Sequence, residues 1–135
     1  MTVTLSHAIK ISAPRHAVFT ALADTAETAA WHLGVIDGVV AVGDTFRLQP
    51  KPGLVFSWRT EEIVTDETIR QVCVEGPGNS AGKTLIFNLS DTEEGHTLVN
   101  LSDGQWSADD PGLPFCNTRW AEVLLRLKQY AETGA

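Results

Sequence analysis

An α+β fold, in which a curved antiparallel sheet closes on one long C-terminal helix, is predicted by three features of the chain. Residues 3 to 11 alternate apolar and polar, residues 54 to 103 hold four β-rich runs divided by turn signals, and residues 111 to 130 carry apolar side chains at spacings of three and four. A helix with one apolar side needs a partner surface. A curved sheet with protected edges supplies that surface and leaves a space between the two.

The elements follow in order. Val3, Leu5, His7, Ile9 and Ile11 share one face of a first strand, which ends at Ser12-Ala13-Pro14. Pro14 suits a first helical turn with Ser12 or Ala13 as cap, and Val18, Phe19 and Leu22 give that helix its apolar side. Asp24 and Thr25 mark a break and a new cap, and a second short helix is expected over Thr28 to His32, ending near Gly34. Val35 to Gly43 reads as a loop or edge segment, and Asp44 to Leu48 begins another strand before the Pro50-Lys51-Pro52-Gly53 turn. Leu54 to Val64, Thr68 to Glu75, Lys83 to Ser90 and His96 to Asp103 form a meander. Gly104 to Asp110 is expected to be a loop carrying Trp106. In the last helix Leu113, Cys116, Trp120, Val123, Leu124, Leu127 and Tyr130 fall on one side, with Asp109 or Asp110 as cap.

At 135 residues the whole of 1–135 is expected to form one domain, large enough to fold without a metal or disulfide. Ten Lys and Arg against seventeen Asp and Glu give a net charge of −7, which opposes nucleic acid and anionic membrane surfaces. No apolar run approaches a membrane span, the first residues alternate instead of forming a leader, and the expected location is the cytoplasm. Cys73 and Cys116 are expected to be free. The four histidines lack ligand spacing and the cysteines lack C-x-x-C, so neither a metal site nor a cofactor is expected. GPGNSAGKT has Pro77 where a phosphate loop needs its first glycine and runs into a strand, so it reads as a hairpin loop.

Candidate binding residues come from polar groups on apolar faces and from the aromatic set. His7 shares its face with Ile9 and could bond a ligand's hydroxyl or carbonyl; the plainer reading is a histidine at a frayed strand end. Trp31, Phe46, Phe56, Trp58, Phe87, Trp106, Phe115 and Trp120 could line an apolar pocket or simply fill the core. Strict alternation would put Glu62 on the face of Phe56 and Trp58, where a carboxylate in an apolar space would serve as acid or base, although solvation is the plainer fate. His7 with Glu62 is the one acid–base pair the pattern offers. Arg59 and Arg70 are expected to pair with the acidic run across strands.

The opening Ile9, Ile11, Ala13, Pro14, Val18, Phe19, Ala21 and Leu22, followed by Trp31, resembles the START-like superfamily, also called SRPBCC or helix-grip proteins. Within it the resemblance is to the heat-shock ATPase activator-like and polyketide-cyclase-like groups. Gly95, Thr97, Leu98, Gly104, Trp120, Leu124 and Leu127 match later features, so the likeness runs over nearly the whole chain. It implies a seven-stranded antiparallel sheet gripping the C-terminal helix around a pocket for hydrophobic or amphipathic small molecules. Since such a fold hosts many activities, three expectations stand together. One is ligand binding by His7, Ile9, Trp31, Phe56, Trp58, Phe87, Trp106, Phe115 and Trp120. Another is a cyclase- or hydrolase-like enzyme using His7 and Glu62. The third is a chaperone-cofactor-like interaction module, and a homodimer is compatible with each.

Overall fold

In the computed structural model, which describes residues 1–134, seven strands and three helices occur in the order β1 (Thr2–Ile11), α1 (Arg15–Ala23), α2 (Thr25–Trp31), β2 (Val35–Gly38), β3 (Thr45–Lys51), β4 (Leu54–Val64), β5 (Thr68–Glu75), β6 (Thr84–Asp91), β7 (Thr97–Ser107) and α3 (Leu113–Thr133). All strands are antiparallel in one sheet of order β1-β7-β6-β5-β4-β3-β2. Consecutive hairpins build β2 to β7, and β7 returns to pair with β1, so α1 and α2 occupy the one long connection. This is the helix-grip architecture.

The inner face of the sheet carries the core. Phe46 and Leu48 of β3, Phe56 and Trp58 of β4, Ile69 and Cys73 of β5, Leu85, Phe87 and Leu89 of β6, and Val99 and Leu101 of β7 are all buried. Helix α3 closes over them with Leu124 and Leu127 fully inside and Trp120 and Val123 packed against the cluster. Burial of such side chains contributes roughly 1.5–3 kcal/mol each, so this face dominates the stability. The C-terminal half of α3 is tied to the end of β1: Lys128 Nζ donates to Lys10 O at 2.7 Å, and Ser12 N donates to Glu132 Oε2 at 2.7 Å.

Several boundaries differ from the sequence reading for local reasons. Asp24 caps α2 by accepting from Ala26 N at 2.9 Å, so that helix starts at Thr25. Helix α1 has Pro14 at its N-cap with no side-chain cap bond. Val35–Gly38 pairs with β3 as an edge strand. Helix α3 is capped by Gly112 with a proline in its first turn, and Asp110 serves one step earlier by accepting from Gly112 N at 2.8 Å.

Two bulges matter more, because an extra residue in one strand reverses which face the following side chains occupy. In β4 the register passes from Thr60↔Gln71 to Glu62↔Arg70, leaving Glu61 as the extra residue. Glu62 therefore turns outward, 52% exposed and 3.7 Å from Arg70, while Ile63 takes the inward position. The expectation that Glu62 shares the face of Phe56 and Trp58 is corrected by this bulge. In β7 the register passes from Leu5↔Asp103 to Val3↔Trp106, so Gly104 and Gln105 together face Thr4. Strand β7 thus continues through the expected loop, and Trp106 lies in the strand, buried.

Candidate functional site

The β7 bulge lets Asp103 and Trp106, three residues apart, both point inward between the sheet and α3. The close approach of β1 there requires Gly104, since a Cβ on it would lie 2.7 Å from Thr4 Oγ1 and 3.2 Å from Thr4 Cα. Asp103 is 3% exposed. From α3, Trp120 Nε1 donates to Asp103 Oδ2 at 2.8 Å. The same indole packs on Trp58 and Phe87, with ring centroids 6.2 and 6.3 Å apart. Asp103 Oδ1 and Trp106 Nε1 are buried and have no partner at hydrogen-bonding geometry among the described residues.

Burial pushes the Asp103 carboxyl above its usual range; the Trp120 bond, the nearby Trp106 indole and the Lys83 charge act the other way without cancelling it. Trp106 Nε1 is thus close enough to favour the charged form while falling short of a well-formed bond.

These groups border a narrow cavity of about 40 Å³, counted as space open to the centre of a water molecule. Its walls are aromatic, from Phe56, Trp58, Trp106 and Trp120, and Asp103, Lys83, Arg119 and His32 supply its ionisable groups. Lys83 follows the 76–82 loop and stacks over Trp106 at 4.9 Å, while Arg119 of α3 stacks over Phe56 at 4.9 Å. An inner void of about 40 Å³, reaching Trp31, Ile69 and Phe87, shares His32, Trp58 and Trp120 with it. An outer recess of about 260 Å³ shares Ser80, Trp106, Cys116 and Arg119 and has Phe115 on its rim, 72% exposed.

The sequence-derived candidates therefore separate. Phe56, Trp58, Trp106 and Trp120 meet in the cavity; Trp31 and Phe87 line the inner void, where the Trp31 Nε1 bonds to Ala21 O at 2.9 Å. Phe115 belongs to the outer recess. Ile9 packs against the core without lining any of the three spaces. His7 is half-buried on the inward row of β1 opposite Leu101, also away from them, with its Nε2 lacking a partner among the described residues. His7 and Glu62 are not brought together.

Four ionisable residues of the cavity were missed: Asp103, His32, Lys83 and Arg119. Asp103 extends the inward alternation of Thr97, Val99 and Leu101, a signal that was present in the sequence. His32, expected only to sit at the end of α2, lines both cavity and inner void. Its Nδ1 lies 3.0 Å from Leu33 O, and since a carbonyl only accepts, Nδ1 carries the proton. Burial lowers its pKa, partly opposed by that bond and assisted by Arg126, so the ring is neutral at pH 7 and Nε2 bears a lone pair.

Among the described residues no cluster of His, Cys, Asp or Glu could hold a metal ion, both cysteines are free, and no helix is long and apolar enough to cross a membrane.

Comparison with known proteins agrees with this architecture. No curated protein sequence matches the chain. The solution structure of the Aha1 dimer from Colwellia psychrerythraea is similar at 25% identity and a TM-score of 0.88, with 98% of each chain covered. Two further structures show the same fold. CalU16 from Micromonospora echinospora has 18% identity and a TM-score of 0.79, covering 98% of this chain and 78% of that one. DynU16, from the dynemicin biosynthetic locus, has 18% identity and a TM-score of 0.81, covering 97% of this chain and 48% of that one. The family described as Activator of Hsp90 ATPase homolog 1-like protein matches residues 12–132, and the chain belongs to that family.

Proposed function

We propose that the protein binds a small hydrophobic or amphipathic molecule between the sheet and α3, at the cavity bordered by Asp103. The observation that carries this reading is a buried carboxylate with one unpartnered oxygen, set among four aromatic side chains beside an unpartnered indole N–H. Leaving such groups unmet costs roughly 1–3 kcal/mol each, an expense that packing alone would remove with an apolar residue and that a ligand or bound water offsets. Native mass spectrometry of the protein from its own host, under gentle and denaturing conditions, tests the reading. A reproducible small-molecule adduct is expected. Its absence, together with no thermal shift from apolar aromatics or lipids, would overturn it.

A second reading, acid–base catalysis, is supported by the presence of His32 and Asp103 in one cavity. Burial raises the Asp103 pKa towards neutrality and lowers that of His32, which leaves a neutral imidazole able to accept a proton at Nε2. An adduct recovered unchanged in mass after prolonged incubation argues for a carrier, and a changed mass for an enzyme. The dimer named for the Colwellia protein supports self-association here, with light scattering at twice the monomer mass as the expected result.

A further inference from the structure

We propose that the cavity selects a one-ring hydroxylated aromatic acid, its hydroxyl between Asp103 and Trp106 and its carboxylate held by Lys83 and Arg119. This rests on the ligand-binding reading above and adds the chemistry of the ligand.

The hydroxyl follows from the two unpartnered atoms. Asp103 Oδ1 can only accept while ionised, and Trp106 Nε1 can only donate. A single O–H oxygen meets both, donating to the first and accepting from the second. An ammonium would serve only Asp103, and a carboxylate placed there would be repelled by it.

The acid follows from the cations. Arg15, Arg47, Arg59, Arg70 and Lys128 each have a carboxylate within 4.0 Å. The other five cations, Lys10, Lys51, Lys83, Arg119 and Arg126, have no ion-pair partner among the described residues, and of these Lys83 and Arg119 line the cavity and lie over Trp106 and Phe56. Asp103 is the one carboxylate on the cavity wall, so two positive charges oppose one negative there, in a chain whose net charge is −7. That local reversal favours an anion within the cavity; the recess outside it carries Asp110, which accepts from Asn79 Nδ2 at 2.9 Å and Gly112 N at 2.8 Å. Lys83 lies over the same indole whose N–H is unpartnered, which places charge and hydroxyl subsites on one side chain.

Size and shape set the frame. A 40 Å³ cavity opening on a 260 Å³ recess, walled by indole and phenyl rings, fits a short flat molecule better than a long acyl chain.

Calorimetric titration of the full chain with four probes tests the proposal. They are 4-hydroxycinnamate, cinnamate (no hydroxyl), methyl 4-hydroxycinnamate (no charge) and the neutral apolar dye N-phenyl-1-naphthylamine. The hydroxy acid is expected to bind at least about fivefold tighter than cinnamate and than the ester. In the Lys83→Gln/Arg119→Gln double variant the acid should lose its advantage over the ester. If the dye binds but the acid leads either analogue by less than about fivefold, the selectivity is overturned and the ligand-binding reading stands. Equality with cinnamate would mean that a resident water serves Asp103 and Trp106. An advantage over the ester that survives in the double variant overturns the role of the two cations. If none of the four binds, the ligand-binding reading falls and this inference with it.

Discussion

Replacing Trp120 by Phe separates hydrogen bonding from packing at the centre of the site. The phenyl ring keeps much of the contact with Trp58 and Phe87 but removes the N–H that donates to Asp103 at 2.8 Å. A hydrogen bond to a charged group contributes about 1.5–3 kcal/mol, and the smaller ring on a half-buried side chain loses about 1 kcal/mol more. The sum, about 3 kcal/mol at pH 7.5, corresponds to a fall in Tm on the order of 10 °C for a chain of this size. The two parts respond differently to pH. The Trp120 bond favours ionised Asp103, so its removal raises further a folded-state pKa that burial has already raised. A raised carboxylate pKa gives stability that is fully present below the unfolded value, near 3.9, and lost as pH rises through the folded value. The variant loses more across that window than the wild type, so its deficit should be largest at neutral pH and shrink towards about 1 kcal/mol near pH 4. Urea unfolding followed by far-UV circular dichroism at both pH values measures this. A deficit that is the same at both pH values, to within about 0.5 kcal/mol, would refute the hydrogen-bond account and leave only packing.

Three further outcomes follow from the same geometry. Asp103→Asn keeps an acceptor for Trp120 and removes the buried charge, so its stability relative to wild type should rise as pH increases from 4 to 8; an unchanged difference across that range in urea titrations would contradict the desolvation of Asp103. Gly104→Ala forces a Cβ against Thr4 and should cost about 1–3 kcal/mol, with partial recovery in the Gly104→Ala/Thr4→Ala pair; full stability in the single variant would mean that β1 yields freely. Glu62→Gln, by removing an exposed pair with Arg70, should change stability by less than about 0.5 kcal/mol and leave dye binding intact, whereas lost binding would return Glu62 to the site.

Much of the fold was legible because period carries it. The alternation of β1, the turn-bounded meander and the three-four spacing around Trp120, Leu124 and Leu127 each survive as elements with buried faces. What period could not show was where it breaks. A bulge adds one residue with no compositional mark, and both bulges fall where the site was being read. Glu61 turns Glu62 out of the face assigned to it, and the Gly104-Gln105 pair brings Trp106 back in beside Asp103. The run of Asp103, Gly104 and nearby acids resembles a turn, because glycine and aspartate favour turns wherever burial does not decide otherwise. His32 was hidden for a different reason: the approach of β3, β4 and α3 around it is long-range and has no local sequence trace.

If Asp103, Trp106 and Trp120 border a ligand site, the four indole N–H signals in a ¹H–¹⁵N spectrum report on it most directly. During titration with N-phenyl-1-naphthylamine the Trp106 and Trp120 signals should shift and saturate together. The Trp31 signal should move least, because its N–H is engaged by Ala21 O in the core. Saturable movement of Trp31 with Trp106 and Trp120 still, or no saturable movement of any indole, would contradict the account.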